Sequence, residues 1–377
     1  GKKYEEVINI YHEAADFGRQ IGNPIIEGRN YAGLGLINLS LGEVQEAGKF
    51  MEKAVKIAKK INSPLLLILS LSLRAFQFPH YGIPDEEAVE YLNKAIPVLK
   101  SVQNARACVL VYLILGYYMA CKGDYTASIS TFQEGIKFAE ETGEALNIAK
   151  GLNWLGWVYS DLGWISEAKK LNKESYKAAL EMGSGSEEVE ANAVVNLAEN
   201  AVAEKDYGQA EKYIEDLLKK AETDPGYLFI RHRWEVRQLC TLAEIFLYKD
   251  DTGEAMKCAQ RAFEIAERTK NKRGMIRANR HMGEIFIKNM EFSKAEKKLN
   301  IAISDAKKLG NPYQLWKTHL DLGKLKEAQG FNQQAQEHYS EALQVVKNVS
   351  SNLKDEKIRK IFLNSELIVE IKNKVKR

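Results

Sequence analysis

Apolar residues recur along this chain with the period of about 3.6 residues that an α-helix has. The run from Val44 to Ala58 is a clear example, since its apolar side chains fall on one helical face. No stretch of useful length alternates apolar and polar residues, as a half-buried strand would. The pattern therefore predicts an all-α protein.

A longer repeat of about forty residues is superimposed on the helical period. Seven repeats contain a Leu or Met followed by a small residue, in the pairs Leu34-Gly35, Leu115-Gly116, Leu155-Gly156, Leu197-Ala198, Leu242-Ala243, Met282-Gly283 and Leu322-Gly323. A second small residue follows twelve positions later, at Ala47, Ser128, Ala168, Ala210, Ala255, Ala295 and Ala335. Small residues are needed where two helices cross closely, because a bulky side chain would push their axes beyond about 8–10 Å. Each repeat is therefore predicted to be an antiparallel helix hairpin, stacked on its neighbours.

A tight turn is predicted between the two helices of each hairpin, seven residues after the first small residue. Glycine occupies this place in four repeats, as is typical of a left-handed helix C-cap, at Gly42, Gly123, Gly163 and Gly330. Other residues occupy it elsewhere, at Lys205, Asp250 and Met290. Between repeats, an N-cap residue followed by proline predicts the start of the next helix, at Asn23-Pro24, Ser63-Pro64 and Asn311-Pro312.

The order of these features resembles the tetratricopeptide repeat. Its pattern of Leu-Gly, a turn glycine, Glu-Ala, a bulky residue and Ala is matched by Leu34-Gly35, Gly42, Glu46-Ala47, Met51 and Ala54. The common unit has about 34 residues, so the helices here are expected to be longer. The resemblance implies a tetratricopeptide-type α-solenoid of antiparallel helix hairpins that forms a right-handed superhelix, with the first helices lining its concave face.

Eight hairpins are predicted over residues 23–350. Residues 1–22 are expected to form either a capping helix or the second half of a repeat whose first helix lies in a longer parent chain. Residues 351–377 are expected to form one C-terminal capping helix and a basic tail. The repeat at 64–104 is predicted to be irregular, because Phe76 takes the small position and Pro97 falls inside the second helix.

Charge and composition argue against several classes of function. The net charge of +3 comes from 54 basic and 51 acidic residues, so we expect neither nucleic acid nor a membrane surface as a partner. No apolar run is expected to span a bilayer, and the four cysteines have no metal-binding spacing. Phosphate-binding, dinucleotide-binding and hydrolase motifs do not occur in the sequence. We therefore predict a cytoplasmic protein that is not an enzyme, with no cofactor and no catalytic or metal site.

The concave face is predicted to carry a ligand groove. Its exposed positions lie six and three residues before the first small residue of each repeat, and one residue after it. At the first of these positions five side chains are basic, namely Arg29, Lys150, Arg237, Arg277 and Lys317, and a further one is Asn192. Asn153, Arg280 and Trp157 complete the predicted groove. Such a row suits a carboxylate-bearing, acidic peptide or another anionic surface; alternatively, these charges pair with glutamates on adjacent helices.

The last repeat indicates a role in signalling. Gly310 to Thr318 and Ile361 to Ser365 are similar to the final repeat and C-terminal helix of large signalling proteins. Those proteins join a STAND-type ATPase and a repeat arm to an adenylate or guanylate cyclase, a kinase or a DNA-binding output module; the maltose transcription regulator is similar in the same region. The resemblance implies the sensor or regulatory arm of a larger protein, which binds a protein or peptide and has an ATPase or output domain upstream. A freestanding scaffold and the effector-sensing domain of a transcription regulator are the alternatives.

Overall fold

Helices form all of the regular secondary structure in the part of the chain that the structure describes. The structure is a computed structural model and describes residues 2–101, 103–228 and 231–375. The first half contains α1 Lys2–Gln20, α2 Pro24–Leu41, α3 Val44–Lys60, α4 Pro64–Ala75, α5 Gln77–Tyr81, α6 Glu86–Ser101, α7 Ala105–Lys122, α8 Tyr125–Thr142, α9 Ala145–Asp161 and α10 Ile165–Met182. The second half contains α11 Glu187–Ala203, α12 Tyr207–Thr223, α13 Arg231–Tyr248, α14 Thr252–Arg268, α15 Lys272–Lys288, α16 Phe292–Leu309, α17 Pro312–Ala328, α18 Asn332–Asn352, α19 Glu356–Leu363 and α20 Glu366–Val375. The predicted all-α solenoid of helix hairpins is confirmed.

Consecutive helices pair into antiparallel hairpins at the places that the small residues predict. A side chain on Gly35 of α2 would place its first carbon 2.8 Å from Met51 Cγ of α3. One on Gly283 of α15 would meet Leu299 of α16 at 2.6 Å. The second small residue of a repeat, such as Ala47, is fully buried at the same crossing. Small side chains therefore permit the close approach of the two helices in each hairpin.

All seven predicted turns hold their residue in the left-handed backbone region. The φ angles of the turn glycines lie between 76° and 86°, at Gly163, Gly330, Gly123 and Gly42. The other residues at this place have φ angles of 61° to 63°, at Met290, Lys205 and Asp250. A left-handed conformation costs a residue with a Cβ roughly 1–2 kcal/mol. The hairpin geometry therefore overrides the local preference of these three residues.

The repeat at residues 64–104 has a divided first helix. The break between α4 and the short α5 falls at Phe76. Pro97 lies inside α6, which continues past it. The N-cap residue Ser63 makes no side-chain cap hydrogen bond, whereas the asparagine caps of α2 and α17 do. The first helix of this repeat is therefore shorter than those of the other hairpins.

The C-terminal cap differs from the expected single helix. It consists of two short helices, α19 and α20, separated at Asn364 and Ser365. Phe362 of α19 packs against Trp316 of α17 with ring centroids 5.5 Å apart, and Ile371 of α20 is fully buried. The break allows both helices to place apolar residues on the last hairpin. Residues 376 and 377 of the expected basic tail lie outside the described residues.

The superhelix closes on itself, so that hairpin turns of its first half touch helix junctions of its second half. Asn311 donates a hydrogen bond from Nδ2 to the carbonyl oxygen of Cys121 at 2.8 Å. Thr126 donates from Oγ1 to the carbonyl oxygen of Asn352 at 2.8 Å. Buried residues of both halves form one cluster at this contact, made of Phe78, Tyr118, Cys121, Ile276, Ala302, Ala306 and Leu309.

One helix, α7, is long and apolar enough by length and composition to cross a membrane, which the sequence did not lead us to expect. Within the protein, 61% of its 18 residues are buried. Val109 and Leu115, for example, are fully buried in apolar clusters with neighbouring helices. Such burial is typical of the core helix of a folded protein.

We predict that Gly123→Ala destabilises the protein more than Gly330→Ala. Both glycines hold the same turn position, at φ angles of 84° and 81°, so both variants lose roughly 1–2 kcal/mol to backbone strain. Only the Gly123 variant also collides with the second half, because its Cβ would lie 2.8 Å from Pro312 Cδ. Among the described residues, nothing lies within 4 Å of a Cβ built at Gly330. Chemical denaturation measures the two losses, and equal losses would contradict a contact between the halves.

Candidate functional site

A cavity of about 450 Å³ lies inside the closed superhelix. Its wall is formed mainly by the first helices of hairpins, α9, α11, α13, α15 and α17, with a contribution from α20. Seven of the nine predicted groove residues line it, namely Asn153, Trp157, Asn192, Arg237, Arg277, Arg280 and Lys317. The inner-face positions inferred from the repeat thus converge on one cavity.

The other two predicted residues are not part of this lining. Arg29 is exposed on α2, away from the cavity wall. Lys150 of α9 binds Glu188 of α11, with 3.0 Å between Nζ and Oε2, and Glu188 lines the cavity. The structure therefore brings Lys150 to the margin of the cavity and leaves Arg29 apart.

Glu199 of α11 binds two arginines of the predicted basic row. Its Oε2 lies 2.6 Å from Nη2 of Arg237, and its Oε1 lies 2.5 Å from Nη1 of Arg277. Arg237 also donates to the side-chain oxygen of Asn196. Burial raises the pKa of Glu199, but the two guanidinium groups outweigh this effect and lower the pKa from 4.5 to about 2. Glu199 is therefore ionised at neutral pH and joins α11, α13 and α15.

Arg280 is neutralised in the same way by acidic residues nearby. Its Nε donates to Oδ2 of Asp321 at 2.7 Å, and its Nη2 lies 3.9 Å from Oε1 of Glu284. Burial raises the pKa of Asp321 to about 6, and the positive charge of Arg280 limits that rise. Because most of the other predicted basic residues are also ion-paired, the protein's own acids engage much of the basic row.

A buried amide network joins α9, α10 and α11, and the groove prediction did not include its central residue. Asn172 accepts hydrogen bonds at Oδ1 from Asn196 at 3.0 Å and from Asn153 at 3.3 Å. Its Nδ2 donates to Asn200 Oδ1 at 3.0 Å. Asn172 lies sixteen residues after the small residue Gly156. The equivalent places in most other repeats carry bulky residues, such as Met51, Phe132, Leu299 and Tyr339. This polar residue was therefore a signal in the sequence that could have indicated the network.

Aromatic side chains form another part of the wall. Trp157, the aromatic residue of the predicted groove, is half-buried, and the Arg273 guanidinium lies over its ring, 4.7 Å from the centroid. Tyr117 stacks on Trp154 at 4.8 Å and meets Trp157 edge-on at 5.5 Å. Trp234 lies in a basic stretch of α13 but is fully buried, so it cannot stack on a nucleic-acid base.

Asp161, Arg273 and Lys317 line the cavity without an oppositely charged partner at ion-pair distance among the residues that the structure describes. Oδ2 of Asp161 is buried and also lacks a hydrogen-bond donor there. Burial raises the pKa of Asp161 to about 7, against the positive charges of Arg273 and Lys317. Sequence reasoning selected Lys317 but missed the other two, since neither lies at one of the three inner-face positions.

The tetratricopeptide repeat is the family whose model matches this chain. The match covers residues 28–61, which include most of α2 and all of α3. Comparison with curated protein sequences gives no match. The matched segment is one hairpin, formed by α2 and α3, and the hairpins that follow repeat its tetratricopeptide-type geometry.

Solved structures share this fold over most of the chain. A Rap protein complexed with competence and sporulation factor has a TM-score of 0.57 and 13% identity, over 93% of this chain and 99% of that one. NprR in complex with its cognate peptide NprX has a TM-score of 0.55 and 15% identity, over 92% of this chain and 100% of that one. A STAND protein with a tetratricopeptide repeat sensor from Pyrococcus horikoshii has a TM-score of 0.45 and 14% identity, over 92% of this chain and 42% of that one. At these identities the likeness of the Rap protein and of NprR to this chain is one of fold.

We predict that Glu199→Gln lowers the free energy of unfolding at pH 7 by about 3 kcal/mol, because two enclosed guanidinium groups lose their counter-charge. A carboxylate with a lowered pKa stabilises the fold above its unfolded pKa, here 4.5, and this contribution disappears as the pH falls towards about 2. Denaturation at a series of pH values should therefore show the wild type and the variant converging in acid and differing most near neutrality.

Glu46→Gln is the matched control for this prediction. Glu46 pairs with Lys49 at 2.5 Å on the exposed face of α3. Exposed pairs contribute little, so we expect a change within about 0.5 kcal/mol at every pH. A Glu199 variant that behaved like the Glu46 variant would show that Glu199 does not hold the two arginines.

Proposed function

We propose that this chain is a peptide-binding regulatory domain that holds a short peptide segment in its central cavity. The proposal depends on one observation, an enclosed space in which charged, amide and aromatic side chains of the inner wall converge. Its volume of about 450 Å³ lies within the range of about 300–1,000 Å³ that ligand pockets occupy. A folded protein surface cannot enter such a space, whereas a short extended segment can.

Two solved structures with the same fold support a ligand of this kind. NprR is described in complex with its cognate peptide NprX, and a Rap protein in complex with competence and sporulation factor. Both are at most 15% identical to this chain, so they support a class of ligand and the role of no individual residue.

The position of the cavity suits a sensor. Its wall contains residues of both halves that contact each other, as Trp157 of α9 and Arg273 of α15 do. A ligand between the halves interacts with the closed form more than with an open one, and it thereby shifts the population towards closure. We therefore propose the sensor or regulatory arm of a larger signalling protein, with an ATPase or output domain elsewhere in the parent chain.

The two alternatives differ in what they require of the cavity. A scaffold for constant protein partners needs an open concave wall, and the closure of the superhelix argues against it. The effector-sensing domain of a transcription regulator would use the same cavity with a small molecule in place of a peptide. The volume of about 450 Å³ suits both ligands, so the binding experiment below distinguishes them.

Binding rather than catalysis is proposed because the thiols near the cavity are not activated as nucleophiles. Burial raises the pKa of the Cys121 and Cys240 thiols to about 11, so both are protonated at neutral pH. Burial lowers the pKa of His281 to about 3. Within the described ranges, no group of three or more His, Cys, Asp or Glu side chains is placed to hold a metal ion.

Four free cysteines are in keeping with the proposed cytoplasmic location.

A variant that fills the cavity tests the proposal. We expect Asn192→Trp to weaken peptide binding at least about tenfold, because the indole would occupy cavity space. Among the described residues, the side chain of Asn192 donates only to the carbonyl oxygen of Glu188 in its own helix, so its loss breaks no hydrogen bond between helices. Binding is measured by equilibrium dialysis against an equimolar mixture of random-sequence pentapeptides, with the bound peptides quantified by mass spectrometry.

Asn93→Trp is the control for the filled cavity. Asn93 donates the same kind of hydrogen bond, to the carbonyl oxygen of Val89 at 3.0 Å, on an exposed part of α6. This variant should bind peptides like the wild type. A wild type that retains no peptide, or an Asn192 variant that binds equally well, would refute the proposed function.

A further inference from the structure

We infer that the cavity recognises a ligand group in which a carboxylate lies next to an N–H donor, as in the C-terminal residue of a peptide. Arg273 and Lys317 bind the carboxylate, and Asp161 accepts the hydrogen bond from the N–H. This inference rests on the proposed function and specifies which part of a peptide the cavity takes.

Arg273 has hydrogen-bonding capacity that the protein does not use. Its Nη1 donates to Sγ of Cys121 at 3.2 Å, and its guanidinium lies over the Trp157 ring. A guanidinium has five N–H donors and a thiol is a weak acceptor, so most of these donors have no strong partner. No carboxylate lies at ion-pair distance from Arg273 within the described part of the chain. An anion that arrives with the ligand would satisfy the open donors.

Lys317 differs from the residues at the same position of other repeats. Arg237 and Arg277, its equivalents in the two preceding repeats, both pair with Glu199, which lies one residue after an earlier small residue. The acids at the corresponding places for Lys317 are Glu284, one repeat earlier, and Glu244, two repeats earlier. No ion pair joins Lys317 to any described acid. Its ammonium lies instead over the ring of Tyr313, 4.7 Å from the centroid. Lys317 and Glu244 both line the cavity but form no ion pair with each other. Both charges therefore face the space that a ligand would occupy.

Asp161 provides the complementary acceptor. It is the last residue of α9, and its Oδ2 is buried without a hydrogen-bond donor among the described residues. A buried acceptor without a partner costs about 1–3 kcal/mol, which a donor on the ligand would remove. Burial raises the pKa of Asp161 to about 7, and the cations that oppose the rise are Arg273 and Lys317. The Arg273 guanidinium lies over the ring of Trp157, which precedes Asp161 by one turn of α9, and Lys317 lines the same cavity.

Together these three groups select a dipolar ligand group. A lone anion would pair with Arg273 and Lys317 but would be repelled by Asp161 whenever that residue is ionised. A lone cation would meet the opposite difficulty. A carboxylate with a neighbouring N–H satisfies all three, and such a group occurs in the C-terminal residue of a peptide and in a free amino acid.

The test compares two mixtures of N-acetylated random pentapeptides, one ending in a free carboxylate and the other in a carboxamide, with a mixture of the common amino acids. Binding to the full chain is measured by equilibrium dialysis with mass spectrometry. We expect amidation to weaken binding to the wild type at least about tenfold. In the Lys317→Met variant, the free-acid peptides should bind as weakly as the amidated ones. Amidation removes the negative charge of the peptide, and in this variant the lysine that would bind that charge is already absent.

Two further variants complete the experiment. Lys307→Met removes an exposed lysine of α16 and should behave like the wild type. Arg273→Gln should reduce the effect of amidation in the same way as Lys317→Met, and it replaces that variant if circular dichroism shows that Lys317→Met does not fold. Equal loss of binding in the Lys307 variant would overturn a specific role for Lys317.

The outcomes separate this inference from the proposed function. Equal binding of the free-acid and amidated peptides would overturn the inference and leave the proposed function intact. Binding of neither peptide mixture, and of no amino acid, would overturn both. Binding of amino acids alone would support the arrangement of charges and overturn a peptide as the ligand.

Discussion

Enclosure of charge is the constraint on which the rest of this structure depends. On an open solenoid the basic residues of the inner wall would be solvated, and each of their ion pairs would contribute little. Here the superhelix closes on itself, so the same residues lose water and require a counter-charge within the protein. Glu199 supplies it to both Arg237 and Arg277, and this shared carboxylate links the first helices of three consecutive repeats.

Closure also explains where the hairpin turns require glycine. The left-handed backbone is not sufficient, because residues with side chains adopt it at Lys205, Asp250 and Met290. At the turns of the first half a steric constraint is added, because a Cβ on the glycine would collide with a residue of the second half. The pairs are Gly42–Thr269, Gly123–Pro312 and Gly163–Ser365. Close approach between the halves, added to the turn conformation, therefore selects glycine in the first half. At Gly330, where no described residue is close, the backbone conformation alone accounts for it.

The sequence predicts the features that depend on neighbouring residues and misses those that depend on curvature. The helix pairs, the turn positions and the inner-face positions follow from the spacing of small residues within one repeat. Which charges stay unpaired does not follow, because Arg277 reaches Glu199 across 78 residues through the summed rotation of the repeats. Asn172 could be found from the sequence, because it is a polar residue at a position where most repeats have a bulky one. Asp161 and Arg273 could not, because they reach the cavity from helix ends outside the regular inner-face positions.

Under the proposed function, the same enclosure would couple a ligand to the shape of the superhelix. Asp161 belongs to the first half, whereas Arg273 and Lys317 belong to the second. Each of these groups loses hydration on closure without gaining an ionic partner, so in the absence of a ligand they oppose the closed form. A ligand that binds all three groups removes the free-energy cost of closing the superhelix around them. Ligand binding and closure are then thermodynamically linked, so that each favours the other. A cavity wall made only of fully paired charges would close equally well when empty, and it could not signal that a ligand is present.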